Sequence, residues 1–424
     1  MQVFSFPLPP LSGGAAPLEA LVEGEEVQTE RGRFFRRRLV LDVDDRYGSC
    51  RLGDFLHIRP EAAAALARVP ELRDVPLEGA LFLDTETTGL AGGTGTYAFL
   101  VGLGYFRTID GDTRFIVDQL MMRSYGEERA MLTWLSEHMH RFAALVTFNG
   151  RTFDVPLLQT RFLMSRMRVS FDDWLQFDLL HASRRLWRFA LGSCALQHIE
   201  RQVLRVGRED DIESFLIPTV YHQFLRDGDG RYLQKVFNHN RADVLAMVAI
   251  ATRACAMLDA PLDAPLKRDP THTLSAAEYL GLARVFEQMD NLDAAERAYR
   301  AALGGSLPID LRCRTLLGLA ALLKRLRRHD DAATHWQAVV DESPIHSVAA
   351  LVELSKYWEH RRHDPARAFD MARRARDGWL GGRPGAERPL PGLAAPWRAA
   401  APAAPDDFSK RLARLDRKRT LVAT

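Results

Sequence analysis

Four short apolar runs follow one another between residues 80 and 148, and each ends at polar or glycine-containing positions. They are Ala80–Asp84, Tyr97–Phe106, Arg114–Met121 and Ala144–Phe148, the last of which leads into an Asn-Gly pair. Runs of this length that end at such turns are typical of β-strands. The pattern therefore predicts four strands that form the core sheet of one domain.

Helical periodicity begins between these strands and dominates after Asp154. Glu127–Phe142 places its large side chains at helical spacing, and Gly230–Leu258 forms one long helical pattern. Strands and helices arranged around a core sheet predict an α/β domain of roughly 180 residues. Two earlier patterns, Phe34–Val43 and Pro60–Val69, predict a strand and a short helix appended to this domain.

A weak internal repeat marks the region after residue 274. Gly281-Leu-Ala recurs as Gly318-Leu-Ala, an offset of 37 residues, and a third copy, Asp364–Phe369, is weaker. Small and aromatic positions that recur at this interval indicate stacked helical hairpins of tetratricopeptide type. Chance similarity between alanine-rich helices is the alternative.

These patterns predict five segments. They are an N-terminal extension at 1–76 that packs on the α/β domain, the α/β domain at 77–258, a linker at 259–273, helical repeats at 274–378, and a Pro/Ala-rich, largely disordered tail at 379–424 that ends in a basic amphipathic helix. The prolines of the linker and of the tail interrupt any periodicity, which is typical of connecting segments.

Composition excludes several classes of protein. The chain has 424 residues, of which 47% are apolar and 26% charged, and this balance excludes a collagen or a wholly disordered chain. No apolar stretch is long enough to span a bilayer, and prolines near residue 8 exclude a secretory signal. The four cysteines form no CxxC pair, which argues against a zinc ribbon. These features predict a cytoplasmic protein without a membrane partner.

The distribution of positive charge is more informative than the net charge of +2. Only six of the 57 basic residues are lysines, so 51 are arginines, and several cluster at 31–38, 184–188 and 411–419. Arginine makes bidentate contacts with phosphate that lysine cannot make. Solvated charged faces are the alternative interpretation of each cluster.

Two carboxylates stand at the end of the first predicted core strand. Asp84 and Glu86 are two residues apart, so a strand presents both on one face. Neighbouring carboxylates repel each other unless a cation lies between them, and hard divalent cations prefer such oxygen ligands. The pair alone is also compatible with a solvated loop.

Two further acidic positions strengthen the metal interpretation. Asp154 lies at a strand-to-helix junction, where ligand groups of α/β sheets cluster. His239 and Asp243 are four residues apart within the long predicted helix, so both project from the same face.

Together these positions resemble a known family. The patterns Asp84-x-Glu86, Asn149-x-x-x-Phe-Asp154 and His239-x-x-x-Asp243 are similar, in order, to the three motifs of the DnaQ-like (DEDD) 3′→5′ exonucleases. The residues around them, in 84–102 and 177–187, resemble the YprB/MrfB-type ribonuclease H-like proteins, in which a C-terminal tetratricopeptide region follows the nuclease domain. The resemblance spans residues 30–375 and implies a ribonuclease H-like mixed sheet flanked by helices.

The resemblance implies a role for each motif residue. Asp84, Glu86, Asp154 and Asp243 would hold two Mg²⁺ or Mn²⁺ ions, which in such sites lie about 3.5–4 Å apart and support an in-line displacement. His239 would be the general base that deprotonates the attacking water or orients it. Its four-residue spacing to Asp243 matches the tyrosine subclass, whereas the histidine subclass usually has five.

Other residues near the motifs carry weaker expectations. The expected substrate contacts are Thr87, Thr88, Asn149, Arg184 and Arg185. Asp178 is expected to cap the helix that follows it, with a substrate contact as the alternative. The acidic run from Glu209 to Glu213 is expected to be a solvated turn.

The resemblance therefore predicts an enzyme, a metal-dependent 3′→5′ exonuclease that acts on nucleic acid, DNA in preference to RNA, in a repair context. A helicase or another protein is the expected partner of the repeats. An RNA-directed exonuclease is the first alternative, because the fold does not select the sugar. A catalytically weak scaffold that binds through its repeats is the second. Strand preference, processivity and oligomeric state have no signal in the sequence.

Overall fold

A computed structural model describes residues 14–89, 93–259, 262, 274–381 and 405–423. It divides into two compact units, Met1–Ala260 and Pro261–Thr424. The first unit contains a mixed sheet with flanking helices, and the second is helical throughout its described residues. This architecture confirms the predicted fold class.

Seven of the nine strands in the described part of the first unit form one sheet, in the order β1-β2-β7-β6-β5-β8-β9. The strands are β1 (Glu25–Thr29), β2 (Gly32–Asp42), β3 (Arg46–Tyr47), β4 (Cys50–Arg51), β5 (Ala80–Thr87), β6 (Ala98–Ile109), β7 (Asp112–Met121), β8 (Ala144–Thr147) and β9 (Leu175–Asp178). The neighbouring pairs β1-β2, β2-β7, β7-β6 and β6-β5 are antiparallel. β8 runs parallel to β5, and β9 runs parallel to β8. The sheet is therefore mixed, as the family resemblance implies.

Eight helices accompany the sheet in the described part of the first unit. They are α1 (Leu18–Leu21), α2 (Pro60–Ala67), α3 (Glu128–Met139), α4 (Asp154–Met164), α5 (Leu179–Leu191), α6 (Leu196–Ile199), α7 (Ile217–Asp227) and α8 (Arg231–Met257). A π-helical turn, Glu200–Leu204, follows α6 directly.

The N-terminal segment contributes strands to the sheet. β2 pairs along its length with β7, from Phe35 opposite Met121 to Asp42 opposite Arg114, and β1 forms the outer edge. The sequence analysis anticipates β2 but not β1 or β9, which are too short to show a reliable pattern. Pairing with a neighbouring strand determines these two elements, since β1 pairs with β2 although it is largely exposed, and β9 pairs with β8.

Helix α8 lies across one face of the sheet because small residues on the strands make room for it. A β-carbon added to Gly104 on β6 would lie 2.5 Å from Cγ1 of Val244, so glycine permits the close approach. Phe237, about two turns earlier, meets Phe35 of β2 edge to face, with ring centroids 6.0 Å apart. This packing fixes the helix over β5, β6 and β7.

The second unit consists of helical hairpins. Its helices are α9 (Ala276–Gln288), α10 (Leu292–Gly304), α11 (Ile309–Arg325), α12 (His329–Glu342), α13 (Ser347–His360), α14 (Pro365–Gly381) and α15 (Pro405–Ala423). The equivalent aromatic residues of the proposed repeat, Tyr299 and Trp336, are both buried, in α10 and α12. A helical region consistent with a repeat domain is therefore present, whereas its tetratricopeptide type stays a prediction.

The predicted C-terminal amphipathic helix corresponds to α15. Phe408, Leu412 and Leu415 are buried, and the last two pack with Ala368 and Ala372 of α14. Most of the predicted linker and the predicted disordered stretch from 382 to 404 lie outside the described residues. Where residues are described, no helix combines the length and apolar character needed to cross a membrane, and a cytoplasmic location stays a prediction.

Candidate active site

Strand β5 delivers the first two carboxylates to the face that α8 covers. Asp84 pairs with Gly102 of β6, and Glu86 pairs with Leu100, just before a register shift at Thr87. Because side chains alternate along a strand, Thr85 faces the other way. The predicted common face for Asp84 and Glu86 agrees with their contacts, since both meet residues of α8.

Glu86, His239 and Asp243 form the tightest group of ligand-type residues in the described chain. Each offers one ligand atom, and these atoms all lie within 4.8 Å of one another. Oε1 of Glu86 is buried and has no hydrogen-bond partner among the described residues. A buried carboxylate oxygen without a partner is costly, so the group has the ligand chemistry that a divalent cation would satisfy.

Asp84 is held by a chain of hydrogen bonds through two side-chain amides, one on α8 and one on β7. The Asn240 amide donates from Nδ2 to Oδ2 of Asp84 at 2.8 Å, and Nε2 of Gln119 donates to Oδ1 of Asn240 at 2.9 Å. Both amides are fully buried. Gly102 lies between Asp84 and Gln119 in the same row of the sheet, and its missing side chain leaves the space that Asn240 occupies.

Gly102→Ala should therefore damage both the fold and the site. The added β-carbon would lie 2.3 Å from Oδ1 of Asn240, so the amide must move away from Asp84. We expect a loss of about 1–3 kcal/mol in the free energy of unfolding, measured by urea denaturation, as is usual for overpacking. Gly95→Ala is the matched control, because nothing lies within 4 Å of its added β-carbon. Equal stability of the two variants would contradict this account.

Asp154 opens α4, as predicted for a strand-to-helix junction, and faces Thr85. Oγ1 of Thr85 donates to Oδ1 of Asp154 at 2.5 Å. The turn before α4 places Asn149 at φ +67°, a conformation that asparagine tolerates better than most residues. Asp178 holds this turn, since its carboxylate accepts the backbone N–H groups of Asn149 at 2.9 Å and Arg151 at 3.3 Å.

Asp178 also caps α5 by accepting the N–H of Leu180 at 3.0 Å, which confirms the predicted capping role. One buried carboxylate thus starts a helix and fixes the loop that leads to Asp154.

His239 is oriented by an aspartate that the sequence analysis assigned to a solvated turn. Nδ1 of His239 lies 2.8 Å from Oδ1 of Asp211, and Nε2 lies 3.4 Å from Oδ2 of Asp243. With the Nδ1 proton donated to Asp211, the neutral ring carries its lone pair on Nε2. The expectation for Asp211 was wrong because the loop folds back onto α8, which no local pattern reveals.

Arg208, on the same loop, supplies positive charge to the site. It contacts Oδ1 of Asp243, donates from Nη2 to Oε2 of Glu200 at 2.8 Å, and lies 3.4 Å from Asp211. Its side chain is 11% exposed. The sequence analysis did not single out Arg208 or Glu200, and no motif marks them.

Burial raises the pKa values of three carboxyl groups, and the charges of neighbouring carboxylates add to this effect. For Asp84, burial is the largest cause, followed by the charges of Asp243 and Asp154, and the pKa is well above its usual range. Glu86 is raised in the same way, by burial and then by Asp84. Burial raises the pKa of Asp154 to about 6 although Thr85 opposes this. Strongly perturbed carboxyls in one cluster are typical of functional sites.

The pKa of His239 is also raised, which for a histidine favours the charged form, whereas for the carboxyls it favours the neutral form. Burial lowers its pKa, but the hydrogen bond to Asp211 and the charges of Asp243 and Asp211 outweigh burial, and the net pKa is raised.

The expected substrate contacts occupy varied environments. Oγ1 of Thr87 donates to the Gly89 carbonyl at 2.9 Å, and Oγ1 of Thr88 accepts the Tyr97 N–H at 2.9 Å, so both hold the loop after β5. Arg185 donates to the Leu66 carbonyl, and Arg184 is exposed on α5. The structure does not bring these two arginines into contact with the carboxylates, and their substrate role stays a prediction.

Comparison with known proteins places this site in a family. Residues 81–255 match the model of the RNase_H superfamily, and this span contains all the carboxylates described above. The chain is 30% identical over 294 residues to the uncharacterized protein YprB of Bacillus subtilis (strain 168), covering 69% of this chain and 67% of that protein. The chain belongs to the YprB family.

Within the YprB family, the matched RNase H-like domain indicates nucleic-acid hydrolysis. The domain places a group that could hold a metal ion, Glu86 with His239 and Asp243, where the end of strand β5 meets α8. The chain is thus a nuclease-type hydrolase whose substrate is nucleic acid.

Proposed function

We propose that this protein is a metal-dependent 3′→5′ exonuclease that releases nucleoside 5′-monophosphates from DNA in a repair context. The observation that carries the proposal is the unpartnered Oε1 of Glu86 beside His239 and Asp243, within a cluster of buried carboxyls. The direction of digestion and the preference for DNA come from the resemblance of the three motifs to the DEDD exonucleases.

The residues present fit two divalent ions, Mg²⁺ or Mn²⁺. Asp84, Glu86, Asp154 and Asp243 would hold them, because carboxylates offer hard oxygen ligands and the charges of Asp154 and Asp243 raise the pKa values of Asp84 and Glu86. Such ions supply a more acidic bound water and stabilise the leaving oxygen of a phosphodiester. Asn240 orients Asp84, and Thr85 orients Asp154.

His239 supplies the proton acceptor. The carboxylate of Asp211 holds the ring through Nδ1, so the lone pair that can take a proton from the attacking water is on Nε2. Oγ of Ser214 and Oδ2 of Asp243 each lie 3.4 Å from this nitrogen. The raised pKa of His239 strengthens it as a base, but it also requires a pH above that pKa for the neutral ring to predominate.

The decisive experiment compares four labelled substrates. Single- and double-stranded DNA and RNA, labelled at either end, are incubated with Mg²⁺, Mn²⁺ or EDTA. We expect 3′-labelled DNA to lose its label at once as mononucleotide, and 5′-labelled DNA to shorten progressively. Glu86→Gln protein, purified in parallel, controls for contaminating nuclease.

The alternatives predict different results in the same assay. Digestion of RNA alone would support an exoribonuclease. Binding of nucleic acid without digestion under every condition would support the scaffold. Digestion that starts at internal sites would contradict the exonuclease assignment.

We also propose that the helical hairpins of the second unit are tetratricopeptide-type repeats that engage a helicase or another protein. A chain ending at residue 268 should then retain metal-dependent cleavage of a short oligonucleotide, since the first unit is compact and contains every proposed ligand. Single-turnover rates of the shortened and full chains, with saturating substrate, test this. If the shortened chain folds by circular dichroism but cleaves nothing, the second unit contributes to catalysis and the proposal fails.

A further inference from the structure

Arg208 has an anchor that is independent of the carboxylate cluster. Its guanidinium grips Glu200 with two nitrogens, Nε to Oε1 at 3.1 Å and Nη2 to Oε2 at 2.8 Å. The Glu200 side chain is 1% exposed, so its charge requires a buried partner. Arg208 therefore has a fixed place beside the site and is not a mobile surface residue.

Glu200 is in turn held by the N-terminal segment. The Tyr47 hydroxyl donates to Oε1 of Glu200, and Tyr47 lies on β3 of the small β3–β4 hairpin. Gly48, in the turn of this hairpin, has φ +60°, and a β-carbon there would lie 2.3 Å from the Leu204 carbonyl oxygen. The hairpin thus packs directly against the π-helical turn that carries Glu200.

The other side of the guanidinium meets Asp243. Arg208 contacts Oδ1 of this carboxylate, while Oδ2 lies on the side of His239, 3.4 Å from Nε2. An aspartate held by one oxygen in this way presents the other oxygen in a fixed direction. The contacts of Arg208 thus join Asp243 to a buried anchor, Glu200.

We infer that Arg208 is a positioning residue for the metal site, which fixes Asp243 through Glu200 and Tyr47 so that Oδ2 alone is presented to the ion. The inference rests on the proposed metal-dependent function and names a part of the machinery that the three motifs do not contain. It also gives the N-terminal hairpin a role, because this hairpin anchors the chain of contacts that ends at Asp243.

The same unit contains a matched control. Arg38 grips the fully buried Asp118 with two nitrogens, at 2.7 and 2.8 Å, and the Tyr105 hydroxyl donates to the same carboxylate at 2.8 Å. This arrangement of a tyrosine, a buried carboxylate and an arginine repeats that of Tyr47, Glu200 and Arg208. It lies on strands β2, β6 and β7, and the described hydrogen bonds and ion pair of Arg38 do not reach the carboxylate cluster. Removing either arginine should lower thermal stability, since each leaves a buried carboxylate unpaired.

The test measures Mn²⁺ binding to the full, substrate-free chain by isothermal titration calorimetry, beside the melting temperature. Arg208→Met should weaken Mn²⁺ affinity by about 10-fold or more, the usual effect of removing a group that orients a metal ligand. Arg208→Lys should recover part of the affinity, and Tyr47→Phe should show a smaller loss in the same direction. Arg38→Met should lose stability but bind Mn²⁺ like the wild type.

A double variant keeps the inference falsifiable if Arg208→Met fails to fold. Arg208→Met with Glu200→Gln leaves no unpaired buried charge at the anchor, so it should melt closer to the wild type and still bind Mn²⁺ more weakly. Unchanged or tighter binding in this variant would overturn the inference while the proposed function stands. Absence of Mn²⁺ binding to the wild type would overturn the metal-dependent function and this inference with it.

Discussion

Asp84→Ala, Glu86→Ala, Asp154→Ala and Asp243→Ala should each abolish cleavage while the protein stays folded. Each substitution removes one oxygen donor from a cluster in which the charges of Asp154 and Asp243 raise the pKa values of Asp84 and Glu86. A misplaced ion misplaces the attacking water, and small displacements of reacting groups cost orders of magnitude in rate. Single-turnover cleavage of 3′-labelled DNA in Mg²⁺ and in Mn²⁺ measures the loss.

The control for folding is the thermal stability of the same variants. The pKa of Glu86 in the folded protein is raised, so its ionisation opposes folding once the pH exceeds the ordinary glutamate pKa of 4.5. Glu86→Gln should therefore melt at a higher temperature than the wild type in EDTA at pH 8. Near pH 4 the carboxyl is protonated in both states and the difference should disappear.

The pKa of Asp154 is raised from 3.8 to about 6, so its ionisation should reduce the stability of the folded protein as the pH rises through this range.

A quadruple variant, with all four carboxylates replaced, that still digests DNA would show that the site lies elsewhere. A Glu86→Gln protein that is less stable than the wild type in EDTA would contradict the proposed repulsion.

The elements that carry the motifs could be predicted because their patterns are local. β5 shows as an apolar run that ends in carboxylates, and α8 shows as a long helical period in which His239 and Asp243 share a face. A spacing of two on a strand and of four on a helix fixes the direction of a side chain without knowledge of tertiary contacts. The first and third motifs were therefore predictable from the sequence.

The groups that orient the motif residues could not be predicted, because their partners are distant in the chain. Asp211 reaches His239 across 28 residues, and Tyr47 reaches Glu200 across 153. Asp211 stands in an acidic run whose neighbour, Asp210, is indeed 80% exposed and pairs with Lys235. Composition cannot separate these two aspartates, since only the fold of the loop decides which one is turned inward.

Gly102 shows the same limit in another form. In the sequence it is one of several glycines in an apolar run, and a glycine inside a strand indicates only a close approach of some other group. The structure identifies that group as Asn240 and shows that the approach serves Asp84. The residue opposite the proposed metal ligand Asp84 thus depends on register, which the sequence alone does not determine.

His239→Ala should slow the chemical step by about 10²–10⁴-fold, the usual contribution of a general base. Metal binding should be largely retained, since the four carboxylates remain. The neutral ring is the active form, so the wild-type rate should fall as the pH drops through the raised pKa of His239, on the alkaline side of the usual value of about 6.5. Single-turnover rates from pH 5.5 to 9 record this acidic limb.

Asp211→Asn tests the cause of that limb without removing the ring. Burial lowers the pKa of His239, and the hydrogen bond to Asp211 is the largest of the effects that raise it. Without this carboxylate the pKa should fall, so the acidic limb should move to lower pH. The rate at high pH should also fall, because the amide can turn its NH₂ group toward Nδ1 and favour the wrong tautomer. Asp210→Asn is the matched control, one residue away, exposed and not in contact with His239.

Two outcomes would contradict these predictions. A His239→Ala protein with the wild-type rate across this pH range would remove His239 from the mechanism. An acidic limb of the pH profile that stays in place in Asp211→Asn would assign the titration to another group.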